Sequence, residues 1–440
     1  MILGASYSCF NGLHLPCSFY VDKKNARKVL VLPPMKSTFV EWVKDSAAAK
    51  RYALITFAVC IAYYILECIN GRAQMADFRV YYDAANAFLF DTQLYGKSFG
   101  VSSGFYKYSP FAAIPFIPLA IMPYAVASVI YYLLLTLAFI WWPLRLIYEI
   151  AKHSAQVEPK KTGIIIFLSV LFLADHIERE LHLGNVNLFL LIASLYVYTA
   201  LEKGQSIKAG IIFGIILLFK PHFVILFPYL IWKGKWKAVA TSFITLFIGF
   251  LLPVVVKGWY DNLEIHTQWL QAMRDHNISL EDSANTIYGI FNRFLLKGSA
   301  GAALVIILLA LTAAGFVIFL IRNRKLSGNN HVRFIEFFVL IAAIPNLAHT
   351  DTEHFMWTWP LIAYSIVVIS LKGLRAHWSS AALMTIAFIP YCLNSPDIVG
   401  AETRWLFDEG GLLGVSNLIL ILVAIQLYMN QTKNAVRITE

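Results

Sequence analysis

Long apolar runs separated by short polar connections recur between residues 51 and 429. A helix needs about 20 mostly apolar residues to cross a bilayer, and a continuous run of that kind is not a barrel strand. On that scale the chain predicts twelve spans, near 51–69, 124–147, 163–175, 187–202, 207–219, 222–232, 238–256, 301–321, 333–348, 355–371, 379–391 and 412–429. The longest connection, Gly71 to Pro110, carries its own pattern. From Phe78, apolar residues at 78, 81, 82, 85, 88 and 89 form a helical stripe opposite Asp83, Asn86 and Asp91. That predicts a helix lying on the bilayer, with Asp77 at its start and Arg72 and Arg79 alongside. Pro115, Pro118 and Pro123 then bend the chain back toward the membrane.

Composition agrees with this reading. At 59% hydrophobic and 14% charged residues, the 440-residue chain is too apolar for a soluble protein of its size. With both termini in the cytoplasm, 25 of the 36 Lys and Arg fall on the cytoplasmic side, as the positive-inside rule requires. Of the 26 acids, 18 fall on the opposite side, where polar chemistry therefore gathers. The net charge of +10 is thus a topology signal, and no basic segment interleaved with aromatics points to nucleic acid. The five cysteines have neither Cys-x-x-Cys nor other partner spacing, which implies no disulfide framework and no zinc site.

The expected organisation is a cytoplasmic segment 1–50, a single transmembrane domain 51–429 and a cytoplasmic tail 430–440. Residues 1–34 resemble neither a signal peptide nor a span, and the sequence context changes at Met35, an expected alternative start.

Four further stretches carry candidate chemistry on the side of Asp77. In the turn 175–187, six of thirteen residues are ionisable, and Asn185 and Asn187 stand ready either to bind sugar hydroxyls or to cap the following helix. Lys220-Pro221-His222 interrupts an apolar stretch, so that two half-spans leave Lys220 and His222 at depth. Such a lysine needs an anionic partner, either a ligand phosphate or one reached by snorkelling to the surface. Arg293, just before a later span, is placed to hold a phosphate with two hydrogen bonds. The turn 346–354 holds His349, Asp351, Glu353 and His354, too close in sequence and too undefined in geometry to define a metal site.

An acid at a lipid-water boundary with cations nearby suits transfer of a sugar from a lipid phosphate to a hydroxyl. The carboxylate takes the hydroxyl proton, and Lys220 and Arg293 stabilise the departing phosphate. Asp77 has a structural alternative as a helix N-cap. No phosphate-binding glycine loop is present, which argues against a nucleotide-dependent enzyme or pump.

In order along the chain, Asp77-Phe78-Arg79-Val80-Tyr81-Tyr82, Leu94-Tyr95, Tyr108-Ser109-Pro110, Gly184-Asn185-Val186-Asn187 and Lys220-Pro221 resemble the family-87 glycosyltransferases over roughly residues 50–370. The resemblance implies a GT-C fold, polytopic and all-α, with a structured first extracytoplasmic loop. It also implies a polyprenyl-phosphate sugar donor, a lipid or glycan acceptor, and Asp77 as the base, with His349 or His354 in the place of the family's late-loop histidine. The family includes the polyprenyl-phosphate-mannose-dependent α-mannosyltransferase of phosphatidylinositol mannoside synthesis, so mannose is the leading sugar, inverting transfer the expected course and a bacterial cytoplasmic membrane the expected location. Arg79, Tyr108, Asn185, Asn187 and His222 join Lys220 and Arg293 as expected donor-site residues, with no metal or other cofactor. Asn185 stands where the family usually has Gln, and Glu353 precedes His354, departures that bear on the sugar. Arabinofuranosyl transfer is the alternative within the family. A lipid-linked-sugar transporter is the alternative class, although the paired helix interruption expected of one is not found.

Overall fold

The computed structural model describes residues 38–90, 93–99, 104–153, 159–275, 283–294, 299–323, 330–348 and 351–439. The expectation for residues 1–34 lies outside them, as does His349. Among the described residues the fold is helical, and the sole β feature is a bridge between Ser98 and Phe105 in the loop before Tyr108.

Among the described residues, six helices are long and apolar enough to cross a membrane: Ala47–Ile69, Tyr124–Lys152, Trp236–Lys257, Ala303–Arg322, Thr352–Lys372 and Leu412–Gln431. The pair Ala174–Leu183 and Asn187–Glu202, bent by 114°, makes a seventh if taken as one span. This is a polytopic membrane protein. The difference from twelve runs lies in helix length. Ser206–Phe219 has 14 residues, which rise only about 21 Å against a hydrocarbon core of about 30 Å. Lys161–Phe172 and Pro221–Trp232 are likewise apolar but short.

Two breaks position the functional residues. Pro221 ends the helix Ser206–Phe219 and opens a 3-10 turn, Pro221–Ile225. A residue before proline is pushed out of the helical region, and Lys220 accordingly has φ −135° and ψ 99°. Its side chain leaves the helix surface at the break and is buried.

The other break is Gly184, which closes the helix Ala174–Leu183 in the left-handed conformation at φ 68°. A Cβ there would lie 2.8 Å from both Met75 Cε and Phe78 Cβ. Glycine is therefore required twice, by conformation and by contact, and the contact presses the 184–187 turn onto the start of the Asp77 helix. Gly184→Ala is expected to lower stability by about 1–3 kcal/mol through strain and overpacking. Thermal unfolding in detergent would show it, with a loss of activity that exceeds the loss of folded protein.

The helix Ala76–Phe90 follows the stripe read from the sequence, burying Phe78, Tyr81, Ala85 and Phe88. Val80, Ala84 and Ala87 are buried as well. The helix is therefore covered by protein over much of its circumference, rather than resting one face on lipid. Phe78 stacks on Tyr131 of the long helix Tyr124–His153 at 4.3 Å, which anchors the loop to the membrane domain.

Candidate active site

Asp77 lies in the first turn of its helix, where the positive end of the helix dipole favours a carboxylate. It is not the N-cap. Its Oδ2 accepts a hydrogen bond from Asn185 Nδ2 at 2.5 Å. Asn185 Oδ1 in turn accepts from the Val186 amide at 2.7 Å and from the Tyr81 hydroxyl at 3.2 Å. Tyr81 shares a hydrogen bond of 2.9 Å with the Tyr108 hydroxyl. Tyr95 fixes the backbone beneath Tyr108 by donating to its carbonyl at 2.6 Å.

The cationic half of the site begins at Lys220. Its Nζ donates to Asn187 Oδ1 at 2.8 Å and contacts His354 Nε2. It also lies over the rings of Trp357 at 5.6 Å and Tyr108 at 5.8 Å, so Tyr108 borders both halves. His354 Nδ1 faces the Asp351 carbonyl at 3.0 Å. A carbonyl only accepts, so Nδ1 carries the proton and Nε2 is left to accept from lysine. An ammonium has three hydrogens, and among the described residues these two partners take two, which leaves one for a ligand oxygen.

The structure thus gathers Asp77, Tyr108, Asn185, Asn187, Lys220 and His354 into one network. His222 follows in the 3-10 turn and is half-buried. Two expected residues are engaged elsewhere. Arg79 pairs with Asp83 at 2.7 Å and lies over the Tyr124 ring at 4.3 Å, being one helical turn from Asp83. Arg293 pairs with Glu409 at 2.7 Å and also meets the Glu409 carbonyl.

The capping role considered for Asn185 and Asn187 belongs instead to a residue the sequence reading did not single out. Glu180, buried at 1% exposure, accepts from the Leu188 amide at 2.8 Å and from Asn187 Nδ2 at 3.0 Å.

Asp351, Glu353 and His354 bring ligand atoms within 4.8 Å of one another. Arg179, however, holds Glu353 at 2.5 Å, and both His354 nitrogens face other groups. The cluster forms one wall of the site.

Burial in this wall pushes the Asp77 carboxyl up to about 6 from an ordinary 3.8, with Glu353 adding to the rise and Lys220 opposing it. A base must be ionised to act. Activity that depends on Asp77 is therefore expected to fall as pH drops through about 6 and to level off above it. A kcat/KM profile from pH 4.5 to 8 would show that acid limb.

A helical membrane bundle that brings a carboxylate and a buried cation into one hydrogen-bonded network offers a candidate active site. The family model of glycosyltransferase family 87 matches residues 105–344, more than half of the chain, and the protein belongs to that family. It is a membrane glycosyltransferase. None of the curated proteins matches the chain. The family match includes Tyr108, Asn185, Asn187, Lys220, His222 and Arg293, whereas Asp77, Arg79 and His354 lie outside it. Asp77 and His354 connect to the matched region through the hydrogen bonds just described.

Proposed function

We propose that this glycosyltransferase moves a hexose, mannose first among candidates, from a polyprenyl-phosphate donor to a hydroxyl of a lipid-linked or glycolipid acceptor. Within a GT-C fold of about twelve membrane helices, the site faces the extracytoplasmic side of a bacterial cytoplasmic membrane. The observation that carries the reading is the joining of Asp77 to Lys220 through the short turn Asn185-Val186-Asn187.

Asp77 takes the proton of the acceptor hydroxyl as its oxygen bonds to the anomeric carbon. The carbon-oxygen bond to phosphate breaks, its electron pair stays with the phosphate, and the Lys220 ammonium stabilises that charge. Tyr108, between the two, lines the sugar position. The lysine supplies the charge stabilisation that a metal provides in other transferases, so a chelator is expected to leave the rate unchanged. Arg293, held by Glu409, would take part only if substrate binding released it.

A single displacement inverts the anomeric carbon. The test supplies purified protein with synthetic polyprenyl-phosphate mannose of known configuration and a membrane-lipid extract, then reads the product anomer by NMR. Inversion is expected. Retention would rule out the one-base displacement.

A further inference from the structure

We propose that Glu180 is a positioning residue for the donor phosphate, acting through Asn187 to orient Lys220. This rests on the reading of Lys220 as the phosphate-binding cation. Asn187 presents an oxygen to one side and an NH2 to the other, and the two differ little in shape. Turned one way it welcomes the Lys220 ammonium, and turned the other way it repels it.

Glu180 decides between them. An ionised carboxylate only accepts hydrogen bonds, and Glu180 Oε2 faces Asn187 Nδ2 at 3.0 Å. The Asn187 oxygen is thereby turned toward Lys220 Nζ, 2.8 Å away. The other Glu180 oxygen is fixed by the Leu188 amide at 2.8 Å, so the carboxylate cannot rotate to a different partner without losing a bond.

Glu180 also differs from the other acids near Lys220 in how firmly it is held. The acids near Lys220 are Asp351, Glu180, Asp77 and Glu353, from three segments of the chain. Glu353 is held by Arg179, Asp351 is exposed, and Asp77 becomes neutral when it takes the acceptor proton. Glu180, buried and bonded on both oxygens, keeps its place against Asn187 whatever the state of Asp77. Its place in the chain explains how it reaches the site. It lies on the helix before Gly184, and the bend between the two helices lays it against the first residues of the second.

The experiment uses full-length protein in nanodiscs and polyprenyl phosphate, the sugar-free lipid phosphate, as a competitive inhibitor. Glu180→Gln keeps the size of the side chain and an oxygen for Leu188, but its NH2 competes for the place facing Asn187. It is expected to weaken inhibition on the order of tenfold, as is Asn187→Leu, which leaves the Glu180 cap intact. In a double-mutant cycle, Glu180→Gln should add little once Lys220→Met is present, because the two act as one unit.

Additive effects, or a lower melting temperature with inhibition unchanged, would make Glu180 a helix cap only and overturn the proposal. If Glu180→Gln does not fold, normal inhibition in Asn187→Leu overturns it equally. If Lys220→Met itself binds polyprenyl phosphate as wild type does, the reading of Lys220 as the phosphate cation fails first. The two failures are thus distinguishable.

Discussion

Lys220→Met should lose about 10²–10³-fold in transfer rate, the usual effect of removing a group that stabilises charge in the transition state. Methionine fills much of the lysine volume and suits the faces of Trp357 and Tyr108, so the apolar part of the site remains packed. The ammonium is what goes. Its loss leaves the Asn187 oxygen and His354 Nε2 facing an apolar side chain. Leaving buried acceptors without donors costs about 1–3 kcal/mol of stability. The measurement is kcat and donor KM on protein purified as a monodisperse peak, with thermal unfolding in parallel. Lys220→Arg, which keeps the charge, should recover part of the rate. An unchanged rate in Lys220→Met would remove the cation from the mechanism.

Asp77→Asn should be more severe in kcat, by about 10²–10⁴-fold, with donor KM nearly unchanged. The substitution preserves shape, and a carboxamide oxygen can still accept from Asn185 Nδ2, so the turn at Gly184 should stay in place. What disappears is the ability to take a proton. The residual activity should also lack the acid limb near pH 6 that belongs to the Asp77 carboxyl. Far-UV circular dichroism and gel filtration would establish that the variant is folded. A fall in folded yield that accounts for all the lost activity would contradict the assignment.

Much of this site is legible in the sequence because its parts sit at local breaks. Lys220 is marked by the proline that follows it, and the pre-proline conformation is what lifts it from the helix. Asp77 is marked by the stripe that begins at Phe78. Glycine 184 marks the turn that carries Asn185 and Asn187.

Two expected donor-site residues have partners outside the network, for different reasons. Arg293 finds Glu409, 116 residues away, and no local pattern announces that pairing. Arg79 has a legible partner at Asp83, one turn on, and a cation at that spacing is more readily bound there than donated to a ligand.

Glu180 was visible only as one charge among six in a polar turn. Its spacing from Asn187, seven residues with a glycine between, could have suggested a helix folding back on its successor. Its burial depends on the 114° bend, which hydropathy does not report. Apolar runs and spans differ in number for a related reason: runs reveal composition, whereas crossing a bilayer also requires length, and several helices here are short.

The central claim is that sugar passes from a lipid phosphate to an acceptor at this site. Its most direct test is donor tracing with the purified wild-type protein in nanodiscs, given polyprenyl-phosphate mannose labelled in the sugar, an acceptor-lipid extract and, in a parallel reaction, labelled nucleotide mannose. Labelled glycolipid is expected from the polyprenyl donor alone, with one polyprenyl phosphate released for each product formed. Label entering product only from the nucleotide sugar, or polyprenyl-phosphate mannose crossing a sealed vesicle intact with no product, would contradict it.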